Sequence, residues 1–219
     1  MDAATFIRKS LYRYFRTIVL SDPIRNFAYS WAFNHLSALA RDTVLIDVGC
    51  RDSLFDAFCA WQGKTVFAIE RDLHAAEMQK RNAMRWNVSY TVVADDFLAF
   101  SLPAQAGALT SIFALQHAGD ADSACYEHSC AVLKTGGVLL TVNECHAHRS
   151  TVQKARCDGD MRIYSRQDIQ NRIVNVLTQS GMQIVEERYA TADFTRQKIG
   201  WIKKGCEGNI CFIAARKTA

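Results

Sequence analysis

From Thr43 onward, short apolar runs alternate with amphipathic stretches. The runs are 43-TVLIDV-48, 65-TVFAIE-70, 90-YTVVAD-95, 108-ALTSIFAL-115 and 137-GVLLTVN-143. Each is short for a helix and too continuously apolar for a strand with one wet face, so each predicts a strand buried on both sides. Helices are predicted between them, over about 53–62, 73–86 and 121–134. The link from Asp95 to Ala108 is less regular and suits only a helical turn. Buried strands alternating with helices imply an α/β fold, doubly wound around a mostly parallel sheet. The tail reads differently. 182-MQIVEERYA-190 and 209-NICFIAARK-217 are strand-like, with no helical pattern between them. An antiparallel hairpin closing the sheet edge is expected there.

Residues 1–41 read as an N-terminal helical cap or lid, ahead of a main domain over 42–219. Ile7, Leu11, Tyr14, Phe15 and Ile18 fall on one helical face, while Arg8, Lys9, Arg13 and Arg16 lie off it. Asp22-Pro23 reads as a break and restart, with Asp22 as N-cap and Pro23 in the first turn of a helix running to about Ala40. The basic first helix suits a lid over a site, packing on the sheet, or peripheral contact with an anionic membrane surface. Its apolar stripe favours the first two.

Composition narrows the classes. Among 219 residues, 49% are hydrophobic and 22% charged, as expected for a globular chain with a full core. The net charge of +4 is too small, and the aromatic–basic interleaving too sparse, for a nucleic-acid partner. No apolar run is long enough to span a membrane. The eight cysteines follow no zinc spacing, and no signal peptide is evident, so reduced thiols in a cytoplasmic protein are expected.

Chemistry in such a sheet gathers beyond the carboxyl ends of the strands. The first run delivers Asp47-Val48-Gly49-Cys50-Arg51-Asp52-Ser53, where Gly49 permits a tight turn and close backbone approach. The second ends in Glu70, an acid suited to accept from both hydroxyls of a ribose. The third ends in Asp95-Asp96-Phe97, offering a carboxylate for an exocyclic amine and a ring beside a base. A nicotinamide oxidoreductase is an alternative, but its first turn carries G-x-G-x-x-G and this one has Gly49 alone.

Together these positions resemble the class I S-adenosylmethionine (SAM)-dependent methyltransferases, over about residues 40–217. Asp47, Gly49, Arg51 and Ser53 fill the slots of that family's acid-x-Gly-x-Gly-x-Gly motif, with its second and third glycines replaced. Glu70 matches the acid of the second strand and Asp95, in VVADDF, the adenine-side acid. 113-FALQHAGD-120 corresponds to the motif after the fourth strand. 132-VLKTGGVLLTVNE-144 is similar to the V-L-K-P-G-G approach to the fifth, with Thr135 in place of the proline. The resemblance implies a Rossmann-like, seven-stranded sheet and SAM as cofactor. It places Glu70 on the ribose, Asp95 on the adenine amine and the Asp47–Gly49 region on the methionine part. Cys50, Arg51, Arg71, Asp96, Phe97 and Leu115 join the expected cofactor-binding set. The missing glycines leave a second alternative, a non-catalytic regulatory protein of the same fold.

Methyl transfer needs a positioned nucleophile and, for an alcohol, a base. Beyond the fourth and fifth runs lie Gln116, His117, Glu144, His146 and His148, with Tyr164 and Asp168 further on. His117 is the first candidate base and His146 the second. No metal is expected, because His146-x-His148 lacks an evident third ligand. Arg149, Arg156 and Arg162 suit an anionic acceptor or a solvated face. The expected acceptor is a small molecule or saccharide, methylated at oxygen, because an alcohol needs the base that the histidines offer and a free amine often does not. No Asn-Pro-Pro-Tyr-like run follows the fourth strand, which counts against adenine-amine and protein-amide acceptors.

Overall fold

The computed structural model describes residues 23–51, 53–102, 105–146, 151–154, 160–193, 198–201 and 208–218. Helix α1 (Pro23–Ser37) precedes strand β1 (Val44–Val48), α2 (Phe55–Trp61), β2 (Thr65–Ile69), α3 (Leu73–Trp86) and β3 (Thr91–Val93). Then come β4 (Ala106–Ile112), α4 (Asp122–Val132), β5 (Leu133–His146), β6 (Thr151–Lys154) and β7 (Asp160–Ser165). A helical stretch over 166–179, α5, leads to β8 (Met182–Asp193), β9 (Lys198–Trp201) and β10 (Ile210–Lys217).

The strands lie in the order β3-β2-β1-β4-β5-β10-β8-β9. β1 to β5 are parallel, whereas β10 runs antiparallel between β5 and β8. The first seven strands of that order are the expected seven-stranded sheet with its antiparallel tail, and β9 extends the edge. Alternation along each strand divides the core. Leu45, Ala108, Leu140 and Phe212 face the layer of α1 and α2. Ile46, Leu109, Leu139 and Ile213 face the layer of α4 and α5. Both faces are covered, which explains why these strands read as unbroken apolar runs.

Pro23 does begin a helix. Ile24, Ala28, Trp31 and Leu36 bury one face of α1 on the sheet. Its Trp31 and Phe27 meet the edge of Phe212, with ring centroids 5.2 and 5.9 Å apart. The helix stops at Ser37, short of Ala40, where the Lys64 ammonium collects the Leu39 and Ala40 carbonyls at 2.8 and 2.6 Å. The basic stripe of residues 1–22 lies outside the described residues. Strand β4 ends at Ile112, not at Leu115 as its apolar run implied. Phe113 adopts φ 56°, a left-handed conformation that turns the chain out of the sheet.

The pattern did not reveal α5. It joins Arg166–Asp168, a π-helical run at Ile169–Val174, and Asn175–Gln179. Ser165 and Asp168 form a capping box at its start, and Ile169, Ile173 and Leu177 are buried. Among the described residues, no helix is long and apolar enough to cross a membrane.

Candidate active site

The strand order reverses between β1 and β4, which opens a crevice at their carboxyl ends. Gly49 turns the chain there with φ 72°, its N–H donating to the Ile69 carbonyl at 2.8 Å. A Cβ on Gly49 would sit 2.3 Å from the Cβ of Ala114, so the β1 loop and the β4 loop touch only because position 49 has no side chain. Arg51, in the slot of the second motif glycine, takes φ 49°, the left-handed conformation a glycine favours. Its side chain is exposed, while its N–H turns inward to Glu70 Oε2 at 2.9 Å. Cys50 is buried, its thiol held protonated by burial and the nearby Asp56 and Asp47 carboxyls.

Glu70 is 6% exposed and organises the floor of the crevice. Oε2 accepts the Arg51 N–H and Oε1 the Asp72 N–H at 3.0 Å. A carboxylate has about four lone-pair sites, so this fixed group keeps acceptor capacity for a diol. Arg71 follows at the exposed start of the next loop, and Asp72 caps α3 by accepting the Ala75 N–H at 2.9 Å.

Two acids lie beneath the loop. Asp47 is buried, and Thr110 Oγ1 donates to its Oδ1 while Oδ2 has no hydrogen-bond partner. Asp56, in the first turn of α2, is wholly buried, and neither of its oxygens meets an N–H or hydroxyl donor. The two carboxyls adjoin. Burial pushes Asp47 up to about 7, with Thr110 working against the rise and Glu70 adding to it. Asp56 is raised as well, by burial and then by Asp47. Two buried carboxyls side by side therefore retain a proton as a pair, because the site cannot readily carry both charges. Sequence reasoning missed Asp56, and it missed Tyr29. Tyr29 stacks on Phe55 at 4.8 Å and brings its phenol toward Ser53, so α1 packs against the loop as well as the sheet.

Asp95 and Asp96 end β3 exposed. Asp95 Oδ1 accepts the Asp96 N–H at 2.7 Å, and Asp96 Oδ1 accepts the Leu98 N–H at 2.8 Å, starting a single 3₁₀ turn. Phe97 turns into the core, edge-on to His128 at 4.9 Å, instead of presenting its face to the crevice. Leu115 is buried, with its N–H on Ser111 Oγ at 3.1 Å.

His117 sits half-buried on the 3₁₀ stretch Leu115–Ala121 after β4. Burial, then the Arg51, Arg71 and Arg25 charges, hold its imidazole below its usual 6.5. A neutral imidazole at neutral pH is able to take a proton. Gln116 beside it is buried, and its Oε1 accepts the Glu144 N–H at 2.8 Å, joining the ends of β4 and β5. Burial raises the Glu144 carboxyl. His146 ends β5 in an exposed position, paired in register with Ser165 of β7. His148, Arg149 and Arg156 lie outside the described residues. Tyr164, Arg162 and Arg172 converge on buried Asp122, with Tyr164 Oη donating at 2.9 Å and Arg172 Nε at 3.0 Å. Tyr164 and Arg162 are thus engaged in anchoring the β7–α5 segment to α4, and Asp168 in capping α5. Among the described residues, no group of three or more His, Cys, Asp or Glu side chains is placed to hold a metal ion. An open cleft of about 430 Å³, walled by Met84, Asn87, Tyr90 and Val92, lies toward the amino ends of the strands and holds no acid or histidine.

No protein-family model matches the chain, and no curated protein matches it by sequence. Solved structures do. A SAM-dependent methyltransferase from Clostridium acetobutylicum superposes with a TM-score of 0.68 at 9% identity, covering 97% of this chain and 99% of that one. The 1,6-didemethyltoxoflavin-N1-methyltransferase of Burkholderia thailandensis, solved with 1,6-didemethyltoxoflavin and S-adenosylhomocysteine, gives 0.69 at 17%, covering 99% and 89%. The [4+2]-cyclase SpnF gives 0.61 at 15%, covering 81% and 76%. The fold is therefore that of the class I SAM-dependent methyltransferases, which also carries other chemistry.

Proposed function

We propose that this protein is a SAM-dependent methyltransferase acting on a small-molecule or saccharide acceptor, at oxygen. The observation that carries the reading is the buried Glu70 carboxylate, fixed by the Arg51 and Asp72 N–H groups at the carboxyl end of β2, beside the β1 loop. That arrangement fits a ribose diol. SAM, when bound, supplies a methyl group on a sulfonium, a good leaving group. The protein's own part is then to hold the two reactants in line and to accept a proton. His117 is neutral and lies beside the crevice, so it serves as the base for an acceptor hydroxyl.

The same geometry argues against a dinucleotide. The Arg51 N–H that would face a diphosphate is engaged by Glu70, and the first turn of α2 carries the buried Asp56. The missing glycines also lose weight as a sign of decay, because Arg51 keeps the left-handed backbone that the second glycine would have supplied. Titration calorimetry with SAM and S-adenosylhomocysteine tests the reading, with Glu70→Ala expected to abolish both heats. Absence of binding by the wild type at millimolar ligand would sink it. Labelled-methyl transfer into pooled metabolites and glycans then identifies the acceptor. Tight binding with no transfer to any pool would instead favour a non-catalytic role.

A further inference from the structure

The β1 loop presents a problem that its sequence alone does not solve. Ser53 N–H donates to the Cys50 carbonyl at 3.2 Å, so the chain turns directly after Cys50, at Arg51. At φ 49° Arg51 occupies the left-handed region, which favours glycine, asparagine or aspartate. An arginine persists in such a conformation only where its surroundings over-determine it.

The surroundings are visible. The peptide unit between Cys50 and Arg51 is held at both ends. Glu70 takes its N–H at 2.9 Å, and the Gln79 side-chain amide reaches its carbonyl at 3.4 Å. The same Gln79 Nε2 donates to the Ser53 carbonyl at 2.8 Å. Asn82 Nδ2 approaches that carbonyl more weakly, at 3.5 Å. Gln79 lies inside α3 and is 0% exposed, a place where a glutamine needs a structural reason. Its orientation is fixed from behind. Tyr90 Oη donates to Oε1 at 2.7 Å and lies 2.9 Å from the Gln79 carbonyl, so Nε2 must face the loop.

We propose that Gln79 is a positioning residue for the cofactor loop: its carboxamide, aligned by Tyr90, grips the Cys50 and Ser53 carbonyls and holds the turn in the shape that missing glycines would otherwise secure. The clamp keeps the Arg51 N–H on Glu70 and so keeps the Glu70 carboxylate aimed into the crevice. The consequence for SAM rests on the function proposed above. The consequence for the loop does not.

Two variants test it in the full chain. Gln79→Leu removes the donors at similar volume, and Tyr90→Phe removes only the group that aligns them. Hydrogen exchange in the ligand-free protein reads the clamp alone. Gln79→Leu is expected to speed exchange of the Arg51 and Ser53 amides about tenfold while the rest of α3 keeps its protection. In the liganded system, the SAM Kd is expected to rise about tenfold for Gln79→Leu and about threefold for Tyr90→Phe, with kcat and acceptor KM at saturating SAM within twofold of wild type. Unchanged loop exchange in both variants overturns the clamp. Equal loss of kcat, acceptor KM and melting temperature, with no selective effect on SAM, assigns Gln79 a general packing role and also overturns it. Faster loop exchange in a wild-type background that binds no SAM leaves the clamp standing and refutes the proposed function instead.

Discussion

Substituting Arg51 asks how much the irregular loop owes to its backbone. At φ 49°, a residue with a Cβ carries about 1–2 kcal/mol of steric penalty, which glycine escapes. Glycine also has the more disordered unfolded state, which costs about 0.5–1 kcal/mol. Arg51→Gly should therefore stabilise the fold by about 0.5–1 kcal/mol. For a chain of this size, that raises Tm by about 1–4 °C. Arg51→Ala is the control, because it keeps the Cβ and its strain while losing the guanidinium. The glycine variant should exceed the alanine variant by about 1 kcal/mol in urea unfolding, with equal m-values. Because the main-chain N–H survives in both, the hydrogen bond to Glu70 is retained. The Arg51 charge also contributes to holding His117 low, so both variants should move the histidine upward. An alanine variant as stable as glycine would refute the argument, since the left-handed backbone would then carry no strain.

Other positions give independent tests. Gly49→Ala combines a φ of 72° with a Cβ 2.3 Å from Ala114, and should destabilise by about 2–4 kcal/mol in denaturant unfolding; a loss under 1 kcal/mol would show that the two loops part freely. The Asp47–Asp56 pair holds its proton more tightly folded than unfolded, so its contribution is complete below the ordinary carboxylate range and is lost as pH rises toward about 7. Asp56→Asn supplies a permanent donor to Asp47, so its Tm advantage over wild type should grow from pH 5 to pH 8; parallel curves would exclude a shared proton. His117 is depressed, so its neutral form persists below its usual 6.5. The acid limb of kcat/KM should fall below that value and shift upward in Arg71→Gln, and His117→Ala should remove it. A limb unmoved by either change would take the base role from His117.

Much of this architecture was legible because burial on both faces leaves a plain mark. The five runs from Thr43 to Asn143 became β1 to β5, and the tail hairpin became β8 and β10 around the register Ile213 to Glu187. Gly49 and Glu70 were singled out from their places at strand ends, and the structure sets both beside the β1 loop. The α5 helix was missed although Ser165, Asp168, Ile169, Ile173 and Leu177 carried its signal. Its π-helical middle departs from the 3.6-residue repeat that pattern reading relies on. Phe97 was assigned to the crevice because position alone was visible, whereas the choice between crevice and core depended on His128 arriving from α4. Gln79, Asp56 and Tyr29 left no mark at all. Gln79 and Tyr29 act on a loop distant in sequence, Asp56 looks like any acid in a first helical turn, and a glutamine in a helix looks the same whether it meets water or a buried carbonyl.

The contact of α1 with Phe212 bears on how the chain comes to be made. Trp31 and Phe27 find their partner ring in β10, the strand that β5 and β8 enclose. On a ribosome adding about 5–20 residues each second, α1 emerges about 9–36 s before that ring exists. During this interval β1, β4 and β5 arrive to cover part of its apolar stripe, while the share that Phe212 will cover stays open. Completion of β10 is thus the event that finishes the burial of the earliest described helix, and a chain stopped short of it keeps Trp31 and Phe27 without their partner ring.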